Sequence, residues 1–397
     1  MLELTVASFY LCISAIFVQY FRGHLLRYIP FLYVLFFIMA TLFLQIAHDG
    51  LFYGKPDQYA YLAYGAHYQY DTWFQIANDQ GYHNPLYWYI IAKIFSATSH
   101  PVECVRSLNF VAHLLAILYC YRTVLIMAAD KKMALVAAYI FALSPTLLTL
   151  DLYILRDSLM LYVFVISFYN VVVLYKSSNP FMRWGHCAAL LALALIALFF
   201  RAQLGFIVFI LALAPFLRFF IFERTLLFIP FFIAVTLFVS GVAQLVIADA
   251  EYAFYALVDI VSPATGWLYF AKFLLYASGF GFLDPTTPKT FTFAGLLVQR
   301  LLTIDSLIFM SMFLLMLLGG RLKRDKKLLN VVIVAYYLYC AIYFYFSFNY
   351  EDLGLHARAL LPFTYISIVF VLANLKRRSP DKVIHVGSNV AGVDALA

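Results

Sequence analysis

Two carboxylates and three arginines stand at positions where charge is expensive and therefore informative. Asp49 and Asp57 lie in a tyrosine-rich polar stretch, 48–103, set between long apolar runs. Arg156, Arg201 and Arg358 each sit where an apolar run begins or ends. A carboxylate shielded from water can accept a proton as a general base, or organise a metal ion. An arginine stays charged, and its planar fork matches the oxygens of a phosphate. Arg201 follows the almost wholly apolar stretch Ala188–Phe200, with no acid within several residues. Such an arginine needs a partner: a phosphate, a distant carboxylate or a lipid headgroup. Arg156 is followed directly by Asp157. An aspartate at a helix start also suits the helix dipole, so a structural cap is the alternative reading for that pair. Arg358 follows Glu351, Asp352 and His356, so pairing with Glu351 is its alternative.

The elements that must hold these groups are membrane helices. Of the 397 residues, 65% are hydrophobic and 12% charged, where soluble domains run near about half and a quarter. Apolar runs of membrane-spanning length recur along the chain, and a β-barrel would show short alternating segments instead. The expected fold is therefore all-α, a polytopic membrane protein of about eleven transmembrane helices. The spans fall near 2–20, 28–47, 104–128, 133–150, 157–175, 184–200, 204–221, 225–247, 302–319, 328–347 and 359–375. The segment 2–20 lacks a basic leader and a small-residue cleavage site, so it reads as a retained helix. One transmembrane domain is expected over 1–378, with a disordered cytoplasmic tail at 379–397.

Charge fixes the expected orientation. The basic loops at 22–27, 130–132, 175–183, 218–224, 321–327 and 375–378 all fall on one side if the spans alternate. The positive-inside rule makes that side cytoplasmic. The N-terminus is then outside and the C-terminus inside. Most of the 20 acidic residues lie on the opposite, outer side. That side carries two large loops, 48–103 and 248–301. The short cytoplasmic loops leave no room for a nucleotide-binding domain, and no GxxxxGK[ST] motif occurs. The net charge of +7 belongs to the topology-setting loops, and no basic–aromatic motif points to nucleic acid. Five scattered cysteines without a CxxC read as packing residues.

Loop 48–103 is expected to carry interfacial helices. Residues 57–68 place Tyr61, Tyr64 and Tyr68 on one helical face, and 84–96 form an apolar stretch too short to span. Pro85 suits the first turn of that second helix. Tyr87 and Trp88, in the segment GYHNPLYW (81–88), are expected to anchor the loop at headgroup level.

The order of residues along this region resembles a known pattern. Asp57–Gln58–Tyr59–Ala60–Tyr61 is followed by His83–Asn84–Pro85–Leu86–Tyr87–Trp88, an apolar stretch, and Val105–Arg106–Ser107–Leu108–Asn109. An alanine-rich run ending near a proline and the pair Arg156–Asp157 come next, and then FFRAQLGFIVF (199–209). The series is similar to the first outer loop and following helices of GT-C glycosyltransferases, among them the protein mannosyltransferase and aminoarabinose transferase families. The resemblance covers about residues 40–220, within a GT-C-like module expected at about 28–221. Gln58 stands where many members carry glutamate. The Arg-Asp pair also resembles membrane proteins of capsule and O-antigen loci, including polysaccharide polymerases.

The resemblance implies transfer of a sugar from a polyprenyl-phosphate or -diphosphate donor to a glycan or lipid acceptor at the outer, periplasmic face of a bacterial inner membrane. It makes Asp57, with Asp49 second, the candidate catalytic carboxylate. It makes Arg156, Asp157, Arg201, Arg358 and His83 the candidate donor-phosphate site. Tyr61, Arg106, Lys272 and Arg300 are secondary or acceptor-side candidates. The residues name no particular cofactor, and Asp57 is open to two roles, a base or a carboxylate that organises a divalent metal ion. Expected partners are the lipid-linked donor, the acceptor, membrane lipids and other polysaccharide-assembly proteins. A polymerase of lipid-linked repeat units needs the same arginines, because its donor also leaves as a diphosphate. A transporter or flippase is the reading from another class. It predicts ionisable residues near mid-membrane and broken helices.

Overall fold

A computed structural model describes residues 2–46, 56–79, 85–144, 147–148, 151, 157–177, 179–200, 205, 208–209, 211–212, 365 and 369. The spans expected beyond residue 221 lie outside the described residues, except for Tyr365 and Val369. So do loop 248–301 and the tail at 379–397. Within the described residues the chain is helical throughout, without a strand. It is an all-α, multi-pass integral membrane protein. Four described helices are long and apolar enough to cross a membrane: Leu2–Tyr20, Pro101–Ala128, Leu159–Lys176 and Pro180–Phe200.

The elements run α1 (Leu2–Tyr20), a short 3-10 turn, α2 (Ile29–Ile46), α3 (Pro56–His67), α4 (Trp73–Asp79), α5 (Pro85–Ala97), α6 (Pro101–Ala128), α7 (Lys131–Ala142), α8 (Asp157–Lys176) and α9 (Pro180–Phe200). Proline opens α3, α5, α6 and α9. It fits there because the first helical N–H has no partner to lose and the ring presets φ. Asp130 caps α7, accepting from Lys132 N at 2.8 Å and Met133 N at 3.4 Å.

α6 is the central helix. It packs against α1, α7 and α8, and 61% of its apolar window is buried, against 6% for α1. A helix apolar on every side belongs in the interior, and α1 offers its flanks to lipid. α6 packs on α7, and both helices bury small residues: Ala112 and Ala116 on α6, Ala134, Ala137 and Ala138 on α7. Small side chains let two helices approach closely where lipid supplies no hydrophobic drive. Tyr365 reaches this core from the far end of the sequence. Its hydroxyl donates to Thr123 Oγ1 at 3.1 Å, and its ring meets Phe141 and Phe168.

The start of α1 and the turn before α6 share one end of the bundle, since Thr98 and Ser99 donate to the Glu3 carboxylate. Alternating spans require this. At that end, α3, α4 and α5 form a compact cap. α3 and α4 both pack on α5, and α5 packs on α6 and α9. Lys93 of α5 donates to the carbonyls of Asp71 (2.8 Å) and Gln69 (3.5 Å), holding the turn between α3 and α4.

Two expectations are corrected here. Tyr87 and Trp88 do not anchor the loop in the headgroups: they are buried, with Tyr61 crossing both rings at 4.7 and 4.5 Å. Tyr61, Tyr64 and Tyr68 do line one helical side, but Tyr61 and Tyr64 use it to pack on Trp88 of α5. The expected span 133–150 is not continuous either. α7 has 12 residues and ends at Ala142, about 18 Å of helix where a hydrocarbon core needs about 30 Å. Ser144 then caps a new turn, accepting from Leu147 N at 3.3 Å, and Leu147, Leu148 and Asp151 are helical again.

Candidate active site

The break in α7 creates a physical problem that the surrounding residues solve. The last carbonyls of a helix have no intrahelical partner, and in a bilayer water cannot supply one. Here Tyr33 of α2 donates its hydroxyl to the Ala142 carbonyl at 3.1 Å. His113 Nε2 lies 3.2 Å from the Phe141 carbonyl. The other ring nitrogen of His113, Nδ1, lies 2.7 Å from Asp151 Oδ2. His113 and Asp151 are almost completely buried, at 3% and 1% exposure. The contact gives each of these buried polar groups a partner, which offsets part of the cost of burying it in the bilayer.

α6 presents its polar residues on one face. Arg106, Asn109 and His113 follow at spacings of three and four, which stacks them along the helix. His113 is twelve residues from Pro101 and fifteen from Ala128, near mid-helix. Asn109 Nδ2 donates to the Asp151 backbone carbonyl at 3.4 Å. Arg106, one turn nearer the cap, is 7% exposed. The corner between α7 and α8 is thus held to α6 by both the side chain and the backbone of Asp151. Asp157 begins α8, six residues later.

The sequence candidates fall into two groups. Asp57 is the second residue of α3, Tyr61 is buried one turn later, Arg106 belongs to the polar face of α6, and Asp157 opens α8. α3 packs on α5, α5 on α6, and α6 on α8. Asp49, His83, Arg156, Arg201, Arg358, Lys272 and Arg300 lie outside the described residues. Arg201 follows directly on Phe200, and the neighbouring Phe199 ring stands edge-on to Trp73 of α4 at 5.5 Å. The end of α9 therefore abuts the same cap. Among the described residues no three His, Cys, Asp or Glu side chains gather as metal ligands.

With this geometry in place, comparison with known proteins adds one finding. Residues 67–250 match the dolichyl-phosphate-mannose-protein mannosyltransferase family. This is a GT-C family, and the matched stretch is slightly under half of the chain. It begins inside the α3–α5 cap and runs through α6, the α7–α8 corner and α9. It includes His83, Arg106, Arg156, Asp157 and Arg201, and it starts after Asp57 and Tyr61. The match supports a membrane glycosyltransferase that uses a lipid-linked donor. Neither a curated relative nor a solved structure matches the chain.

Sequence reading passed over His113, Asn109 and Asp151 as a unit. The signal was present: a histidine and an asparagine at i and i+4 within an apolar span mark a face turned to protein. That Asp151 of the corner DLYILRD turns inward is a matter of packing against α6 and has no local sequence sign.

Proposed function

We propose that the protein is a glycosyltransferase working at the outer membrane face. It moves a sugar from a polyprenyl-phosphate or -diphosphate donor to a glycan or lipid acceptor during surface polysaccharide assembly. The observation that carries this reading is the cap in which α3 and α4 pack on α5, and α5 on α6 and α9, with Phe199 at the end of α9 against Trp73 and with α8 packed along α6. These elements bear or lead into Asp57, Arg106, Arg156–Asp157 and Arg201.

The chemistry assigns each type of group a task. The acceptor hydroxyl oxygen attacks the anomeric carbon, the bond from that carbon to the phosphate oxygen breaks, and the (di)phosphate leaves with the electron pair. Asp57 takes the hydroxyl proton. Arg156, Arg201 and Arg358 stabilise charge on the leaving phosphate, with Asp157 orienting Arg156 and His83 as a further phosphate contact. Asp49 is the second carboxylate. Arg106, Tyr61, Lys272 and Arg300 line the acceptor side. The matched family's name makes a polyprenyl-phosphate monosaccharide the first donor to test, with mannose as its sugar. A polymerase of lipid-linked repeat units is the nearest variant, favoured by the adjacent Arg156–Asp157 pair.

The test is surface-polysaccharide gel analysis of a deletion strain complemented with wild type, Asp57→Asn or Arg201→Ala at matched protein levels. Wild type restores the profile and both variants fail. One capped repeat unit in place of a ladder identifies a polymerase. A ladder lacking one sugar identifies a decorating transferase. Full restoration by both variants refutes the site assignment.

A further inference from the structure

Arg122 is a charged residue of α6 that the site above does not use. It stands nine residues beyond His113, about two and a half turns, and so on the opposite side of the helix. Its guanidinium carbon lies 5.4 Å from the centroid of the Tyr20 ring, at the last residue of α1. The other groups that bear on its charge are Tyr119, about one turn earlier on α6, and Tyr169 of α8. The Tyr119 and Tyr169 rings meet edge-on at 5.1 Å. Among the described residues no carboxylate joins this group, and Arg122 Nε is buried without a hydrogen-bond partner. An aromatic face attracts a cation but carries no net charge to balance it. A half-buried guanidinium in a membrane bundle calls for an anion.

The depth of the cluster follows from α1. Its 19 residues make about 28 Å of helix, against a hydrocarbon core of about 30 Å. Glu3 at its start is tied to Thr98 and Ser99 beside the cap. Tyr20 at its end, and Arg122 with it, therefore stand at the opposite headgroup boundary. Tyr20, Tyr119, Arg122 and Tyr169 are all partly exposed, so the cluster opens to the surface. One turn inward on the same side of α1, Ile16 is exposed. A charged niche at headgroup level thus continues into an apolar, lipid-facing flank.

We propose that Arg122, with Tyr20, Tyr119 and Tyr169 around it, binds the headgroup phosphate of an anionic phospholipid at the end of the bundle away from the cap. The acyl chain lies along the flank that bears Ile16. The planar fork of the arginine donates to two phosphate oxygens at once. A lipid with net negative charge is preferred to a zwitterionic one, because the same end carries Arg22, Arg27, Lys131, Lys132 and Lys176. The acid there, Asp130, is taken up in capping α7. This site is independent of the functional reading above.

The test is lipid retention by the purified full-length protein in detergent, titrated with dioleoylphosphatidylglycerol or dioleoylphosphatidylcholine and read by native mass spectrometry. Wild type is expected to hold one phosphatidylglycerol more tightly than phosphatidylcholine; equal retention of the two overturns the proposal. Arg122→Gln is expected to lose about 10-fold in phosphatidylglycerol affinity, the effect of a charge-assisted hydrogen bond. Arg22→Gln, which removes an exposed charge two residues beyond Tyr20, is expected to lose less than about 3-fold. Equal losses in the two variants, or wild-type affinity in Arg122→Gln, overturn the site and leave only a diffuse basic belt. If Arg122→Gln is not recovered from the membrane, Arg122→Lys decides. It keeps the charge and loses the fork, so weaker binding is expected, and wild-type affinity overturns the proposal. Displacement of phosphatidylglycerol from wild type by substoichiometric undecaprenyl phosphate also overturns it, and assigns the niche to a polyprenyl phosphate.

Discussion

Gly65 sits in α3 one turn beyond Tyr61, at the closest approach of α3 to α5. A Cβ added there would stand 2.6 Å from Ile91 Cγ2, and 2.8 and 2.9 Å from two ring carbons of Phe95. Carbon atoms settle at about 3.5–4.0 Å, so an alanine at position 65 must move its neighbours or itself by about 1 Å. Ile91 is fully buried, and its Cγ2 branches directly from Cβ, so it cannot swing aside without leaving its rotamer. The Phe95 ring can give a little. α3 therefore lifts from α5. Gly65→Ala gains about 1 kcal/mol of helix propensity and loses about 1–3 kcal/mol to overpacking, a small net destabilisation. The functional effect is larger, because α3 carries Asp57: a misplacement of about 1 Å can cost about 100-fold in rate. The assay is glycan-profile complementation alongside the thermal midpoint of the purified protein. Adding Ile91→Ala removes the obstructing Cγ2 and should restore part of the activity to Gly65→Ala. On its own Ile91→Ala costs about 2–5 kcal/mol, so the coupling between the two sites is opposite in sign to a simple sum. A Gly65→Ala protein with full activity, or one that Ile91→Ala fails to help, refutes the claim that close α3–α5 contact positions Asp57.

Two further outcomes follow from local contacts. Asp130→Ala removes the cap of α7 and is expected to lower stability by about 0.5–2 kcal/mol, read as a fall in thermal midpoint; Asp130→Asn should recover most of it, and an unchanged midpoint in the alanine variant counts against the cap. Lys93→Met keeps the stem of the side chain but withdraws the ammonium from the Asp71 and Gln69 carbonyls; the turn between α3 and α4 is expected to become several-fold more sensitive to limited proteolysis, with stability falling by about 1.5–3 kcal/mol at most, and unchanged proteolysis counts against the tie.

Much of the bundle was legible because single residues carried the signal. The prolines at 56, 85, 101 and 180 open helices, as their missing N–H and fixed φ allow. The short apolar stretch at 84–96 became α5, as its length required. α4 was not anticipated: seven residues give no usable period. The destination of Tyr87 and Trp88 was misread because an aromatic suits a headgroup layer and an aromatic core equally well. What decides between them is a second tyrosine helix folded on top, and that is a tertiary fact. The end of α7 at Ala142 had a local sign in Ser144–Pro145, a cap residue followed by proline. The hydrophobicity of 133–150 outweighed it. Of the candidate site, the elements of Asp57, Arg106 and Asp157 are now described, while His113 and Asp151 emerged only from the packing of α6 against the corner.

A broken helix and an ionisable pair near mid-membrane are also what a transporter would show, and that alternative has to be met on the same residues. In a transporter the free ends of a broken helix remain open, so that backbone groups can hold the cargo. Here the two carbonyls at the break are already taken, by Tyr33 and His113, and the acid beside them is bound by that same histidine. With His113 and Asp151 at 3% and 1% exposure, the cluster is closed on itself. A group closed in this way moves nothing across the membrane; it holds parts of the fold in register. What it holds is Asp151, tied to α6 through both its side chain and its backbone carbonyl. The polar residues in the middle of α6 therefore read as a closed structural cluster, and the ionisable pair by itself does not favour transport.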